Sequence, residues 1–240
     1  MSTVALIGAD GAGKTTMAKR ILSSSPIPMK YLYMGRNVNS SNVILPTSRF
    51  IQFLRAYLKK NANKIKSSKV QSLNASIQQP EEWWEEDKRG KIFATLRLLN
   101  RLAEEWFRQF ISWSYQLRGY MVIYDRHFIF EQAAKPGPEN RKLRLTERLH
   151  RWLLEHCYPK PDLVIFLDAS PDELFRRKGE TTIEYLQMCR DAFLSYEKKM
   201  SNFRRVDALQ QPDDVCREIR HHIRQLQSSN PEKILKPQVG

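Results

Sequence analysis

The sequence predicts an α/β protein built on a five-stranded parallel sheet with helices on both faces. Three observations lead there. Five short apolar runs show no polar alternation, as expected of strands covered on both sides. Stretches with helical spacing lie between them, so that each strand re-enters the sheet from the same end. Three of the runs stop on an aspartate, at the strand end where open parallel sheets hold their ligands.

The elements follow in order. Residues 3–7 form a first strand that ends at Gly8, and 14–22 has helical spacing before a Ser/Pro-rich break. A second strand over 29–34 is closed by Gly35. Residues 47–58 read as an amphipathic helix with Phe50, Phe53, Leu54, Tyr57 and Leu58 on one side. Residues 59–79, rich in Lys, Ser, Asn and Gln, read as a mobile loop, and an acidic, aromatic cluster follows at 81–87. A long helix over 92–117 feeds the third strand, 120–124, which Asp125 stops. The fourth strand, 163–167, is introduced by Pro161 and stopped by Asp168, and the fifth, 203–206, is stopped by Asp207. The expectation is one domain over 1–240, with a substrate-side insertion at 37–90.

Composition narrows the class. At 240 residues and 41% hydrophobic, the chain can bury a core and is not a disordered one. Its longest apolar runs are too short to cross a bilayer, and the N-terminus lacks the pattern of a signal peptide. Cys157, Cys189 and Cys216 have no metal-like spacing and read as thiols of a reducing compartment, so a cytoplasmic location is expected. The net charge is +14, and from Gly11 to Pro80 there are twelve basic residues and no acidic one. Such a field attracts phosphorylated small molecules, nucleic acid or anionic membrane.

The strongest signal is Gly8-Ala-Asp-Gly-Ala-Gly-Lys-Thr15, a G-x-x-x-x-G-K-[ST] phosphate loop between a strand and a helix. Its glycines let successive N–H groups turn toward one anion, and the following helix adds its positive end. Lys14 is expected to reach the β- and γ-oxygens of ATP, and the Thr15 hydroxyl to ligate Mg²⁺. Asp10 is the one acidic residue in the first 80. A carboxylate among phosphate-binding amides is expected to face away from the phosphates, as a turn residue or as acceptor for a substrate hydroxyl.

Asp125-Arg126-His127 follows a strand, where a second carboxylate near the metal is expected. Asp125 is read as a Mg²⁺ ligand, direct or through water, and Arg126 as a bidentate clamp on the acceptor phosphate. His127 reads as a packed or solvated side chain. Arg176-Arg-Lys-Gly-Glu180, after the fourth strand, is read as a lid over 176–183. Its Arg176, Arg177 and Lys178 would neutralise the transferring group, and closure would exclude water.

With these residues assembled, the chain resembles the thymidylate kinases and the wider thymidylate kinase-like group of nucleoside monophosphate kinases. The resemblance rests on 8–16, Asp125-Arg126, Pro161-Asp-Leu-Val-Ile-Phe-Leu-Asp168 with Pro171, and the lid. It also takes in Tyr185, Arg190, Tyr196 and Val206-Asp-Ala208. It implies a P-loop NTPase fold and the reaction of ATP with dTMP to give ADP and dTDP, with Mg²⁺. ATP would then lie on Gly8, Asp10, Gly11, Ala12, Gly13, Lys14, Thr15 and Thr16, with Arg176 reaching adenine. By the same resemblance Asp10 accepts from the sugar 3′-hydroxyl and Arg126 binds the acceptor phosphate. In Phe93-Ala-Thr-Leu-Arg97, Phe93 stacks on thymine and Arg97 hydrogen-bonds it. With Gly11 after the loop acid and three cations in the lid, the chain looks like the lid-dependent kind. Members of the group are often dimers, so a homodimer is an expectation.

Two departures stand out. Where thymidylate kinases usually carry Arg-Glu-Pro-Gly-Gly, this chain has Met34-Gly-Arg-Asn37, leaving Arg36 as the candidate acceptor arginine. Arg97 also lies about two helical turns further from Asp125 than in a typical member. A kinase of another nucleotide, a nucleoside or a phosphorylated sugar is therefore the first alternative. A nucleotide-dependent switch is the second, although no Asn-Lys-x-Asp guanine reader is present. Contact of 47–70 with an anionic membrane is a third, and nucleic acid is not expected as a partner.

Overall fold

Five strands form where the apolar runs lie: β1 Thr3–Ile7, β2 Met29–Tyr33, β3 Met121–Asp125, β4 Leu163–Asp168 and β5 Phe203–Asp207. The computed structural model describes residues 2–37, 40–49, 53, 90–133, 145–179 and 181–229, and of residues 90–93, 132 and 133 the helical backbone alone. Most of the helix expected over 47–58 lies outside the described residues, as do the loop 59–79, the cluster 81–87 and Glu180.

All strand pairs are parallel, in the order β2-β3-β1-β4-β5. The aspartates are the last residues of their strands instead of the first residues beyond them. Asp125 still pairs in register with Leu6 and Tyr33, and Asp168 with Asp207. The next peptides extend the ladder, since Arg126 N–H donates to the Leu6 carbonyl at 3.0 Å and Met34 N–H to that of Asp125 at 3.0 Å. Every residue of β1, β3 and β4 is buried, while the edge strand β5 exposes Arg204 and Arg205. This is why the three inner runs carry no polar alternation.

Besides helical residues at 46–49 and 53, seven helices with both ends described accompany the strands: α1 Lys14–Ser24, α2 Gly90–Leu117, α3 Phe128–Ala133, α4 Leu145–His156, α5 Pro171–Lys178, α6 Ile183–Leu194 and α7 Pro212–Ser229. α1 packs on α7, α2 on α4, and α5 on α6. From β1 the chain crosses to β2 on one side, and from β3 to β4 on the other. The crevice of such a sheet opens at the carboxyl end of β1.

Helix α2 buries a polar stripe beside the apolar one, on which Trp106, Ile111 and Tyr115 pack against the core. It turns Glu104, Glu105, Arg108, Gln109 and Ser112 inward, all buried, and leaves Leu96, Leu99, Phe110 and Leu117 exposed. The inward charges pair with one another and with backbone. Arg108 lies on Glu104 at 2.9 Å, and the His150 ring lies on Glu105 at 2.9 Å.

The sheet supplies the stability that the site needs. Ile165, fully buried in β4, is expected to cost about 2–5 kcal/mol when cut to Ala, read as a lower urea midpoint at unchanged slope.

Candidate active site

The carboxyl end of β1 runs into the glycine loop with no room to spare. A Cβ on Gly8, at φ +151°, would stand 2.8 Å from the Leu167 carbonyl oxygen, so β4 admits only glycine there. α1 then starts on Gly13 in a left-handed conformation, with no side-chain cap and no acid in its first turn. Its leading N–H groups and its positive end are left to an anion. Lys14 is 5% exposed and donates from Nζ to the Ala9 carbonyl at 2.7 Å. Burial first, and the nearby Arg126 second, push its ammonium down to about 8.

Asp125 meets this loop from β3. The Thr15 hydroxyl donates to Asp125 Oδ2 at 2.5 Å and the Tyr31 hydroxyl to the same oxygen at 2.8 Å. The other oxygen, Oδ1, is buried with no hydrogen-bond partner. A hydroxyl beside a carboxylate with a spare oxygen suits a hard cation that keeps its remaining ligands from water and phosphate. No group of three His, Cys, Asp or Glu that could hold a metal on protein ligands alone occurs among the described residues. The donor set thus fits Mg²⁺ and does not call for a dedicated metal cage.

Arg126 has φ +70°, the one positive φ outside glycine among the described residues. A side chain in the left-handed region costs about 1–2 kcal/mol. The turn sends Asp125 toward Thr15 while Arg126 reaches across the crevice. There its guanidinium donates to Asp10 Oδ1 at 2.6 Å and to Glu131 Oε1 at 2.9 Å. Asp10 therefore faces Arg126, with Lys14 Nζ 3.8 Å away. Burial alone would raise its carboxyl, but Arg126 and Lys14 outweigh that and hold it well below the usual carboxylate range.

Arg36, predicted for the acceptor, lies close by, and its backbone N–H donates to Glu131 Oε2 at 2.8 Å. Burial, then repulsion from Arg101 of α2, lower its guanidinium to about 10. A cleft with about 540 Å³ of empty space, open to solvent, lies between these groups and α6; Asp10, Lys14, Arg126, Glu131, Thr181 and Tyr185 line it.

The predicted residues thus fall into three sets. Gly8, Asp10, Gly11, Ala12, Gly13, Lys14, Thr15, Asp125 and Arg126 come together, and Arg36 joins them through Glu131. Arg176, Arg177 and Lys178 are the last turn of α5, not a loop after it. Ser170 caps that helix, accepting from Glu173 N–H, and Gly179 ends it in a left-handed conformation. Arg176 and Arg177 both lie on Glu173, while Lys178 packs near Gly11 of the phosphate loop. Arg97 is exposed on α2, and the Phe93 side chain lies outside the described residues. His127 is packed among Tyr124, Phe128, Phe130 and Tyr158, and burial holds it neutral with a pKa lowered to about 3.

Three groups went unread in the sequence. Glu131 shares Arg126 with Asp10. Asp168 takes Arg190 Nε at 2.7 Å and Arg205 Nε at 2.8 Å on its two oxygens, which holds its carboxyl below its ordinary value against the pull of burial. Arg108 holds the backbone beside Arg36. An acid five residues after Asp-Arg was the only available hint of Glu131.

A structural comparison decides the fold. A deoxyadenosine kinase from M. mycoides, solved with the products dCMP and dCDP bound, superimposes with a TM-score of 0.50. The match covers 93% of this chain and 99% of that one at 16% sequence identity. The fold is that of the P-loop kinases. In sequence, a probable thymidylate kinase of Archaeoglobus fulgidus is 31% identical over 112 residues, 44% of this chain and 54% of the relative. The chain thus spans about half the length of the curated relative it matches. No protein-family model matches the sequence. No helix among the described residues is long and apolar enough to cross a membrane.

The Lys14 ammonium yields a pH prediction for this P-loop. Nucleotide phosphates favour the charged form, so above pH 8 binding should take up a proton that the free protein lacks. Calorimetry of ATP binding at pH 9 in buffers of different ionisation heat should show uptake of most of one proton, absent in Lys14→Met.

Proposed function

We propose that the chain is an ATP-dependent kinase that passes the γ-phosphate to a nucleoside monophosphate, with dTMP the leading acceptor. The observation that carries this reading is Arg126, held against the phosphate loop through Asp10 and against α3 through Glu131. A protein that only bound or hydrolysed a nucleotide would have no use for a second anion-binding fork facing the first. The similarity to a probable thymidylate kinase supports dTMP as the first acceptor to try.

The chemistry asked of the residues is positioning and charge. The loop amides and Lys14 hold the β- and γ-phosphates, with Arg176 on the adenine side, and Arg126 with Arg36 holds the acceptor phosphate, which requires Arg126 to exchange a carboxylate partner, Asp10 or Glu131, for phosphate. An oxygen of that phosphate attacks the γ-phosphorus in line. The bond from γ-phosphorus to the β,γ-bridging oxygen breaks as the new bond forms, and ADP leaves without a phosphoenzyme. Thr15 and Asp125 are the residues that would hold Mg²⁺, which supplies charge neutralisation on the phosphate oxygens when bound. Arg176, Arg177 and Lys178 neutralise the moving group, which requires the two arginines to exchange Glu173 for phosphate. Asp10 would accept from a sugar hydroxyl on Oδ2, the oxygen opposite the one that Arg126 holds.

The deciding experiment is ADP release from MgATP across deoxynucleotide, ribonucleotide, nucleoside and sugar-phosphate acceptors. Turnover that depends on a monophosphate acceptor, greatest with dTMP, is expected; hydrolysis at full rate with no acceptor would end the kinase reading. Lys14→Ala is expected to lower kcat by at least about a hundredfold. Arg126→Lys should raise the acceptor KM by about tenfold or more while the ATP KM moves little, because one ammonium cannot replace the fork. Equal effects on both substrates would remove Arg126 from the acceptor site.

A further inference from the structure

We propose that Arg108, on the buried face of α2, is a positioning residue that holds the loop carrying Arg36 and so sets the affinity for the phosphorylated acceptor. The inference rests on the reading that Arg36 meets that acceptor.

The geometry is a chain of contacts running from α2 to the phosphate loop. Arg108 is 1% exposed. Its NH1 donates to the Gly35 carbonyl at 2.7 Å and to that of Tyr33 at 3.5 Å, while NH2 and Nε lie on Glu104 Oε1 at 2.9 and 3.3 Å. The second Glu104 oxygen accepts from Leu45 N–H at 3.1 Å, so one carboxylate and one guanidinium grip the chain on both sides of Arg36. Beyond Gly35, the Arg36 N–H lies on Glu131, Glu131 lies on Arg126, and Arg126 lies on Asp10 of the phosphate loop. Gly35 is the tight point. A Cβ there would fall 2.5 Å from the Tyr33 ring and 2.6 Å from Arg126 Cδ. The loop backbone is wedged between the two arginines, and a small displacement at either end is passed on.

The buried polar stripe of α2 gives the second argument. A buried ion pair is a poor source of stability, since well-packed apolar residues of the same volume do as well or better. Here Glu104 and Arg108 occupy the inward face while Leu96, Leu99 and Phe110 stand outside. What the pair supplies that Leu and Met could not is two directed donors to carbonyl oxygens and an acceptor for Leu45. Such groups fix a backbone path; apolar contacts tolerate sliding. The beneficiary is the segment in which this chain has Met34-Gly-Arg-Asn37.

The test uses the full chain with Arg108→Lys, which keeps the charge and loses the fork, and Glu104→Gln, which keeps the bulk and loosens the arginine. Three readouts apply: the KM of each substrate, thermal stability, and hydrogen exchange at the Arg36 amide. Arg108→Lys is expected to raise the acceptor KM about ten- to a hundredfold, leave the ATP KM within about twofold and speed exchange at Arg36. Joined to Arg36→Ala, it should add little to the effect of that change alone. A folded Arg108→Lys or Glu104→Gln with wild-type acceptor KM, or with wild-type exchange at Arg36, overturns the proposal. So does full additivity with Arg36→Ala. If the wild-type protein phosphorylates no acceptor, the kinase reading is what fails. Exchange at the Arg36 amide then still reports whether Arg108 holds the loop.

Discussion

A cation kept in the interior beside an uncapped helix is the constraint around which the rest is arranged. Lys14 is buried, leans on the Ala9 carbonyl and has its nearest carboxylate 3.8 Å away. Holding it there is costly, as its lowered pKa records, and the cost is bearable only because the strands beneath are completely covered. The same burial is what makes the loop an anion site, because charge and amide dipoles act at full strength where water is thin.

From that point the signs alternate. Lys14, Asp10, Arg126 and Glu131 stand in a row of plus, minus, plus and minus across the crevice, with Arg36 attached to the last by its backbone. Arg126 and Lys14 hold Asp10 ionised although it is partly covered. The row also gathers two cationic groups on one carboxylate oxygen, with Lys14 3.8 Å and Arg126 2.6 Å from Asp10 Oδ1. Asp10 thereby offsets their mutual repulsion before any phosphate arrives.

What could be read from sequence was local. The phosphate loop, the five strands and Asp125-Arg126 each declare themselves within a few residues, through glycine spacing, unbroken apolar runs and a strand that ends in charge. The last turn of α5 was half legible: Ser170, Pro171 and the acids that follow announce a helix, but its length to Lys178 depends on Gly179. Glu131 and Arg108 were not legible. Each acts on a group brought near by folding, and a charge inside a helical pattern reads as a solvated one unless the partner is known. Arg108 sat in a helix that buries polar residues beside its core-packed Trp106, Ile111 and Tyr115, and apolar spacing does not mark such a position. Asp168 looked like a strand terminator, whereas its arginines come from 22 and 37 positions further along the chain.

Those two arginines have a mechanical consequence. Arg190 belongs to α6 and Arg205 to β5, so Asp168 rivets the second helix of the lid region to the rim of the sheet. The cations at the end of α5 lie outside that rivet: Arg176 and Arg177 rest on Glu173 of their own helix.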